Sequence, residues 1–283
     1  MIDQNERVAS LYLDLMKQSL TRNLFDQTYQ SIQPRRGSFR SFFFGPMRKL
    51  LAIGDYEIVR RTPKKARVEG RDLPLEAETM IGLLRLDNLG ACIKDVLDHN
   101  VPGDLLEAGV WRGGAAIFMR AALRAYGAAD RQVWVADSFR GLPPPDPQRF
   151  PADAKDRLSS RPQLAVSLEE VKANFQRYGM LDEHVRFLEG WFQDTLSDAP
   201  VERLAVLRID GDMYQSTMEV LQSLYAKVAA GGYVIVDDYG AMASCRAAVD
   251  DFRSQNGIDE ELVTIDWTGV YWQKKPIGDR AQT

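Results

Sequence analysis

The chain has 283 residues, of which 45% are hydrophobic, 27% charged and 10% aromatic, a balance that excludes disordered, collagen-like and coiled-coil proteins. Its net charge of −4 provides no global basic field to recruit nucleic acid. Two cysteines and two histidines are too few for a metal site rich in thiolate or imidazole, so carboxylates have to carry any metal chemistry.

The opening residues Met1-Ile2-Asp3-Gln4-Asn5-Glu6-Arg7 lack a signal-like apolar run, and no apolar stretch approaches the roughly 20 residues of a membrane span. Cys92 and Cys245 suit a reducing compartment, so a cytoplasmic protein without membrane contact is expected. Leu11, Leu15, Leu20, Leu24 and Phe25 predict an amphipathic N-terminal helix broken at Pro34. Basic residues outnumber acidic ones across 35–71, around the run Phe42-Phe43-Phe44. That segment reads as a solvated basic face, or as a contact for an acidic ligand, a membrane surface or a second subunit. Residues 1–74 are expected to form a helical appendage and 75–283 the main domain.

After Pro74 the pattern becomes regular. Strands are predicted at Asp104-Leu105-Leu106-Glu107, Val133-Trp134-Val135-Ala136, Val185-Arg186-Phe187-Leu188, Leu204 to Ile209 and Tyr233-Val234-Ile235-Val236. A helix is predicted over Gly114 to Leu123, and another runs through Val220, Leu221, Leu224, Tyr225 and Val228 until Gly231-Gly232 stops it. Leu262 to Ile265 and Val270 to Trp272 flank Gly269 and predict a terminal antiparallel hairpin. This alternation implies an α/β fold, a doubly wound Rossmann-like parallel sheet. The stretch from Ser138 to about Leu164, with Gly141-Leu142-Pro143-Pro144-Pro145, is long for a connection and follows a strand tip, which suggests a lid over a ligand.

Glu107-Ala108-Gly109-Val110-Trp111-Arg112-Gly113-Gly114 places glycines directly after a strand, where a backbone approaches a ligand. Trp111 stands where a dinucleotide fold needs its second glycine, which disfavours a nicotinamide dinucleotide. Glu107 has the wrong sign for a pyrophosphate and the right one for an ammonium or sulfonium. Asp137 ends the next strand, where a carboxylate accepts hydrogen bonds from ribose hydroxyls. A cationic nucleoside without phosphate fits these features, and S-adenosylmethionine is the common ligand of that kind. The plainer alternative is a packing turn with two helix-capping acids.

Asp210, Asp237 and Asp238 should meet along one sheet edge, since they end neighbouring strands. Three carboxylates repel by several kcal/mol per close pair at an effective dielectric of about 20, and a bound dication relieves this. Oxygen ligands alone favour Mg²⁺ over Mn²⁺ or Ca²⁺. Helix capping by the same aspartates would leave their concentration unexplained. Asp212 is a candidate general base, or else it caps the helix that begins near Gln215.

Taken together, Ala77-Glu-Thr-Met-Ile-Gly82, Leu86-Asp-Asn88, Glu107-Ala-Gly-Val-Trp-Arg-Gly-Gly114, Val135-Ala-Asp-Ser-Phe139, Gly190-Trp-Phe192, Arg208-Ile-Asp-Gly-Asp212, Val236-Asp-Asp-Tyr239 and Gly269-Val-Tyr-Trp272 resemble the macrocin O-methyltransferase (TylF-type) family. The similarity runs in order from about Leu75 to Trp272. It implies a class I methyltransferase fold, S-adenosylmethionine, Mg²⁺, and O-methylation of a sugar hydroxyl on a glycosylated natural product, often an antibiotic. It also implies Asp210, Asp237 and Asp238 as metal ligands and Asp212 as base. Glu107, Gly109 and Asp137, with Ser138 beside it, match the cofactor site, and Thr79 and Met80 border it. Ala108 departs from the family, where Thr is common, and still permits close packing. A Mg²⁺-dependent catechol or phenol methyltransferase is the alternative, since phenols need less activation. A nicotinamide-dependent sugar reductase or a non-catalytic nucleotide-binding protein are more distant readings. Exposed apolar residues on the appendage suggest a homo-oligomer.

Overall fold

The computed structural model describes residues 4–31, 47, 50–51, 53–54 and 56–276. Pro34, the Phe42–Phe44 run and much of the basic segment therefore lie outside the described residues. Helix α1 (Gln4–Leu20) is followed by a small antiparallel pair, β1 (Tyr29–Ser31) and β2 (Val59–Arg61), then by the short α2 (Lys64–Val68) and by α3 (Leu83–Asp98). From there strands and helices alternate: β3 (Asp104–Ala108), α4 (Gly114–Ala125), β4 (Val133–Asp137), α5 (Leu168–Arg177), β5 (Val185–Glu189), α6 (Phe192–Thr195), β6 (Leu204–Ile209), α7 (Tyr214–Leu224), β7 (Val228–Val236) and α8 (Ala243–Gln255). The hairpin strands β8 (Val263–Thr264) and β9 (Val270–Gln273) complete the chain.

Seven strands form one sheet in the order β5-β4-β3-β6-β7-β9-β8. The pairs from β5 to β7 are parallel, while β9 runs antiparallel to β7 and β8. This is the expected α/β Rossmann-like sheet with its C-terminal antiparallel strands. Side-chain alternation divides the core between the two faces. Leu105, Val133, Val135 and Ile235 pack on one side with α1, α3, α4 and α5. Leu106, Trp134, Ala136, Leu207, Val234 and Val236 pack on the other with α7 and α8. The strand order reverses at β3, with β4 on one side and β6 on the other. In such sheets the crevice at that switch point, outside the C-terminal strand ends, takes the ligand.

Two sequence expectations change. Helix α1 buries Ala9, Leu13, Met16 and Leu20, while Leu11 and Leu15 are 63% and 56% exposed. The helix is apolar on two faces, and the stripe predicted to be inward points largely to solvent. It also ends at Leu20, with Arg22 in the left-handed region. Further along, α7 stops at Leu224, and Val228 opens a nine-residue strand that includes Gly231-Gly232. The pairing to β6 shifts register between Leu204 and Val206, so the two glycines lie in a bulge rather than ending a helix. Helix α3 and the β1–β2 pair were not anticipated.

Candidate active site

The parallel ladder continues one residue past each central strand. Gly109 N donates to Ala136 O, Asp210 N to Ala108 O and Asp237 N to Ile209 O, at 2.8–2.9 Å. These bonds carry Asp137, Asp210, Asp237 and Asp238 to one edge of the sheet. Trp111, Phe139 and Asp212 lie just beyond three of the strand tips, and each adopts a left-handed backbone (φ 48°, 55° and 55°). That conformation is costly for bulky side chains, and here it recurs around one crevice.

The crevice holds a cavity of about 320 Å³. Met80, Gly109, Trp111, Asp137, Ser138 and Trp191 line one part, and Asp210, Asp212, Gln215 and Glu219 another. The 138–164 connection forms the cover through Leu142, Pro143, Pro144, Phe150 and Leu164. It is tied down at several points. Trp111 Nε1 donates to Gln163 O at 2.9 Å, and the buried Asp153 accepts from Tyr214 N at 2.8 Å and Gln215 N at 2.9 Å, capping α7.

On the β3–β4 side, Asp137 accepts from Val110 N and Phe139 N, both at 2.8 Å. Burial pushes its carboxyl up, against these N–H groups. The Ser138 hydroxyl and the Trp111 backbone N–H lie against the same carboxylate. Ser138 Oγ donates to Gly141 O at 2.6 Å, which starts the cover. Gly109 (φ 84°) lines the cavity, yet a Cβ there would lie 1.9 Å from Asp210 O, so strand-tip packing already requires the glycine. Gly114 is likewise forced by Glu78 O and Thr79 Cβ, 2.5 and 2.7 Å from its missing Cβ. Thr79 is buried behind the lining and accepts from Ile81 N, whereas Met80 reaches the cavity.

Glu107 is placed differently from expectation. It is 2% exposed and outside the cavity lining, with Oε1 2.5 Å from Arg208 Nη1. The cation beside it is a protein guanidinium. Burial pushes the carboxyl up to about 8, against the Arg208 charge and a backbone N–H from Ala116. The role of Arg208 is set by a partner on another strand, which its own motif does not reveal. Yet a charged residue inside an apolar strand, Leu204-Ala-Val-Leu-Arg208-Ile209, was the available signal.

The acidic side gathers as expected. One oxygen each from Asp210, Asp237 and Asp238 lies within 4.8 Å of the others. Asp237 pairs with Arg85 through Oδ2 and with Arg208 through Oδ1, and Arg208 Nη2 also lies 3.0 Å from Asp210 Oδ2. Asp212 donates its backbone N–H to Asp238 Oδ2 at 3.2 Å. Burial and the neighbouring aspartates push Asp210 up to about 6, Asp212 up to about 8, and Asp238 well above the ordinary range. Burial opposes the charge on Arg208, but Asp237, Asp210 and Glu107 outweigh it and raise its pKa. Glu107, Asp210, Asp237 and Asp266 thus share two guanidiniums, with the carboxyl groups of Asp212 and Asp238 crowded beside them. An all-oxygen donor set of this kind fits a hard dication.

Comparison with known proteins agrees with this architecture. The Macrocin-O-methyltransferase (TylF) family pattern matches residues 9–274. The chain belongs to that family. It is 48% identical over 269 residues to the demethyldecarbamoylnovobiocin O-methyltransferase of Streptomyces niveus, covering 94% of each chain. It is 51% identical over 214 residues to the mycinamicin III 3''-O-methyltransferase of Micromonospora griseorubida, covering 75% of this chain and 84% of the relative. Among solved structures it superposes on the O-methyltransferase NovP with a TM-score of 0.82 and 47% identity, over 95% of this chain and all of that one. As a member of this family, the chain is an S-adenosylmethionine-dependent O-methyltransferase.

Proposed function

We propose that this methyltransferase acts on a sugar hydroxyl of a glycosylated natural product, with Mg²⁺ held by Asp210, Asp237 and Asp238 and with Asp212 as base. The observation that carries the reading is the convergence of three carboxylate donors within 4.8 Å beside a cavity that a fourth carboxylate, Asp212, also lines. The substrate class is supported by relatives named for methylating glycosylated antibiotics, including an 8-demethyl-8-(2,3-dimethoxy-alpha-L-rhamnosyl)-tetracenomycin-C 4'-O-methyltransferase of Streptomyces olivaceus, 46% identical over 98% of this chain and 97% of that relative.

In this reading Asp137, Ser138, Gly109 and Met80 border the cofactor, with Thr79 behind Met80, and Asp137 accepts from the ribose hydroxyls. Glu107 supports the site from behind through Arg208. S-adenosylmethionine would supply an electrophilic methyl group on a sulfonium, and Mg²⁺ held by Asp210, Asp237 and Asp238 would supply a lowered pKa at the acceptor hydroxyl. Asp210, Asp237 and Asp238 would fix the position of the cation at the edge of the cavity. Asp212 receives the hydroxyl proton on a carboxylate oxygen as the new C–O bond forms and the old C–S bond breaks. Since the reaction discharges the sulfonium, positioning contributes more than added charge stabilisation. Residues 75–283 carry this chemistry and residues 1–74 support it. We further propose a cytoplasmic enzyme that self-associates through the exposed Val8, Leu11 and Leu15 on α1. Among the described residues no helix is long and apolar enough to cross a membrane.

Thermal-shift titration with S-adenosylmethionine and Mg²⁺, separately and together, tests the two ligands, and each should stabilise the chain. Asp210→Asn and Asp237→Asn should nearly abolish turnover while cofactor binding stays within about threefold, a loss of at most ~0.7 kcal/mol. Undiminished turnover of the wild type after exhaustive chelation would remove the metal from the mechanism. Assay of a glycosylated acceptor against its aglycone separates sugar methylation from phenol methylation.

A further inference from the structure

We propose that Arg85 is a positioning residue for the acidic cluster, fixing the direction in which Asp237 presents its carboxylate. This inference rests on the cation-binding reading of Asp210, Asp237 and Asp238. Each oxygen of Asp237 meets a different guanidinium, Oδ2 that of Arg85 and Oδ1 that of Arg208. Two anchors on opposite oxygens fix the plane of a carboxylate, whereas one anchor lets it turn. Arg208 divides its charge among Glu107, Asp210 and Asp237 and belongs to the same sheet as all three. Arg85 comes from α3 outside the sheet and supplies the independent second hold.

Arg85 is itself built in, at 6% exposure. Its Nε donates to Asp266 Oδ2 at 3.1 Å and its Nη2 to Gly70 O at 3.2 Å. Asp266 is held in turn by Thr268 N and Gly269 N, at 3.0 and 2.8 Å. The missing Cβ of Gly269 would lie 3.1 Å from Arg85 Cδ, so the strand turn is cut to the arginine stem. The Trp267 ring lies 5.9 Å from its guanidinium and donates Nε1–H to Glu69 O at 2.9 Å. The arginine therefore spans the loop before β9, the 69–70 turn and the acidic cluster. A lysine would place a single point charge there and could not span all three partners.

Partners of this kind, outside the ligand set itself, typically change metal affinity by about 10–100-fold when removed. The test is Mn²⁺ binding to the purified full chain without acceptor, followed by titration calorimetry and by the Mn²⁺ paramagnetic resonance signal. Cofactor affinity without metal and the thermal midpoint are measured alongside. Arg85→Met and Arg85→Lys should both weaken Mn²⁺ binding by about 10–100-fold with cofactor affinity within about twofold. Asp266→Asn, which loosens Arg85 without removing it, should give a smaller loss in the same direction. Mn²⁺ binding as tight in Arg85→Met as in the wild type would overturn the proposal and leave the metal site standing. Equal weakening of cofactor and Mn²⁺ would overturn it too, since that is what general loosening of the fold produces. Absence of Mn²⁺ binding in the wild type would overturn the metal reading and this inference together. Should Arg85→Met not fold, Arg85→Lys and Asp266→Asn carry the same comparison.

Discussion

Two neighbouring stretches of the sheet edge treat buried carboxylates in opposite ways. At the tips of β3 and β4, Asp137 is surrounded by backbone N–H groups, and its charge organises the loops on either side of the cavity. At the tips of β6 and β7, Asp210, Asp212, Asp237 and Asp238 face one another, with only Arg85 and Arg208 as cationic hydrogen-bonding partners among the described residues. The first arrangement is complete without a charged ligand. The second stores repulsion that a cation would relieve. In the proposed reading the same residue type builds a shelf for a nucleoside at one place and a seat for an ion at another. The difference lies in whether dipoles or charges surround it.

The largest effect expected from breaking this contrast is at Asp212. Its αL backbone projects it from the end of β6 into the cavity, and it is the acid nearest the acceptor in the proposed reaction. Asp212→Asn should lower kcat by about 10²–10⁴-fold, the usual contribution of a positioned base, with Mn²⁺ and cofactor binding largely kept. A wild-type rate across the pH range would assign the proton to another group. Next comes Asp137. Asp137→Ala removes an acceptor whose hydrogen bonds, being to a charged group, are worth roughly 1.5–3 kcal/mol. Cofactor affinity should fall about 10–100-fold while Mn²⁺ affinity is unchanged. Parallel loss of both would mean that the two carboxylate environments are one coupled site.

The acidic side also predicts a pH dependence. Asp210 is pushed up to about 6 and Asp212 and Glu107 to about 8, burial being the largest cause in each case. Unfolded carboxylates titrate near about 4, so between those values the native chain holds more protons than the unfolded one. Stability from these groups is therefore present at low pH and lost as pH rises through the folded pKa values. Without metal, the thermal midpoint should fall from about pH 5 to about pH 8, and Mg²⁺ should raise it more at the upper end. A Mg²⁺ shift that is equal at both pH values would show that repulsion among these aspartates is not what the cation relieves.

The sheet was legible because each parallel strand announces itself twice, by a β-branched or leucine run and by a glycine or acid at its tip. The acidic cluster followed from register alone, since Asp210 and Asp237 each end adjacent strands. The pairing of Glu107 was not legible because its neighbour across the ladder, Arg208, is a hundred residues away, and a strand sequence does not say which charges meet. Arg85 was invisible for a similar reason, lying on a helix whose place over the sheet the pattern does not encode. Helix α1 defeated periodicity because it offers two apolar stripes, and only packing on α3 and α4 selects Ala9, Leu13, Met16 and Leu20. The Val228 boundary failed because Gly231-Gly232 supports a bulge as readily as a helix stop.

The smallest effect expected is at the cover. Asp153 is fully buried and accepts two backbone N–H groups at the start of α7, the helix that follows Asp210-Gly211-Asp212. It thereby joins the proline-rich cover to the loop that carries the proposed base. Removing such a cap costs about 1 kcal/mol, which corresponds to a fall of about 2–4 °C in Tm. Asp153→Ala should show that fall together with a raised KM for the acceptor, because Phe150 and Pro144 lose their anchor on the cavity. A lowered Tm with an unchanged KM would make the bond a helix cap and nothing more, and the cover would then be held by Trp111 and Ser138 on the nucleoside side instead.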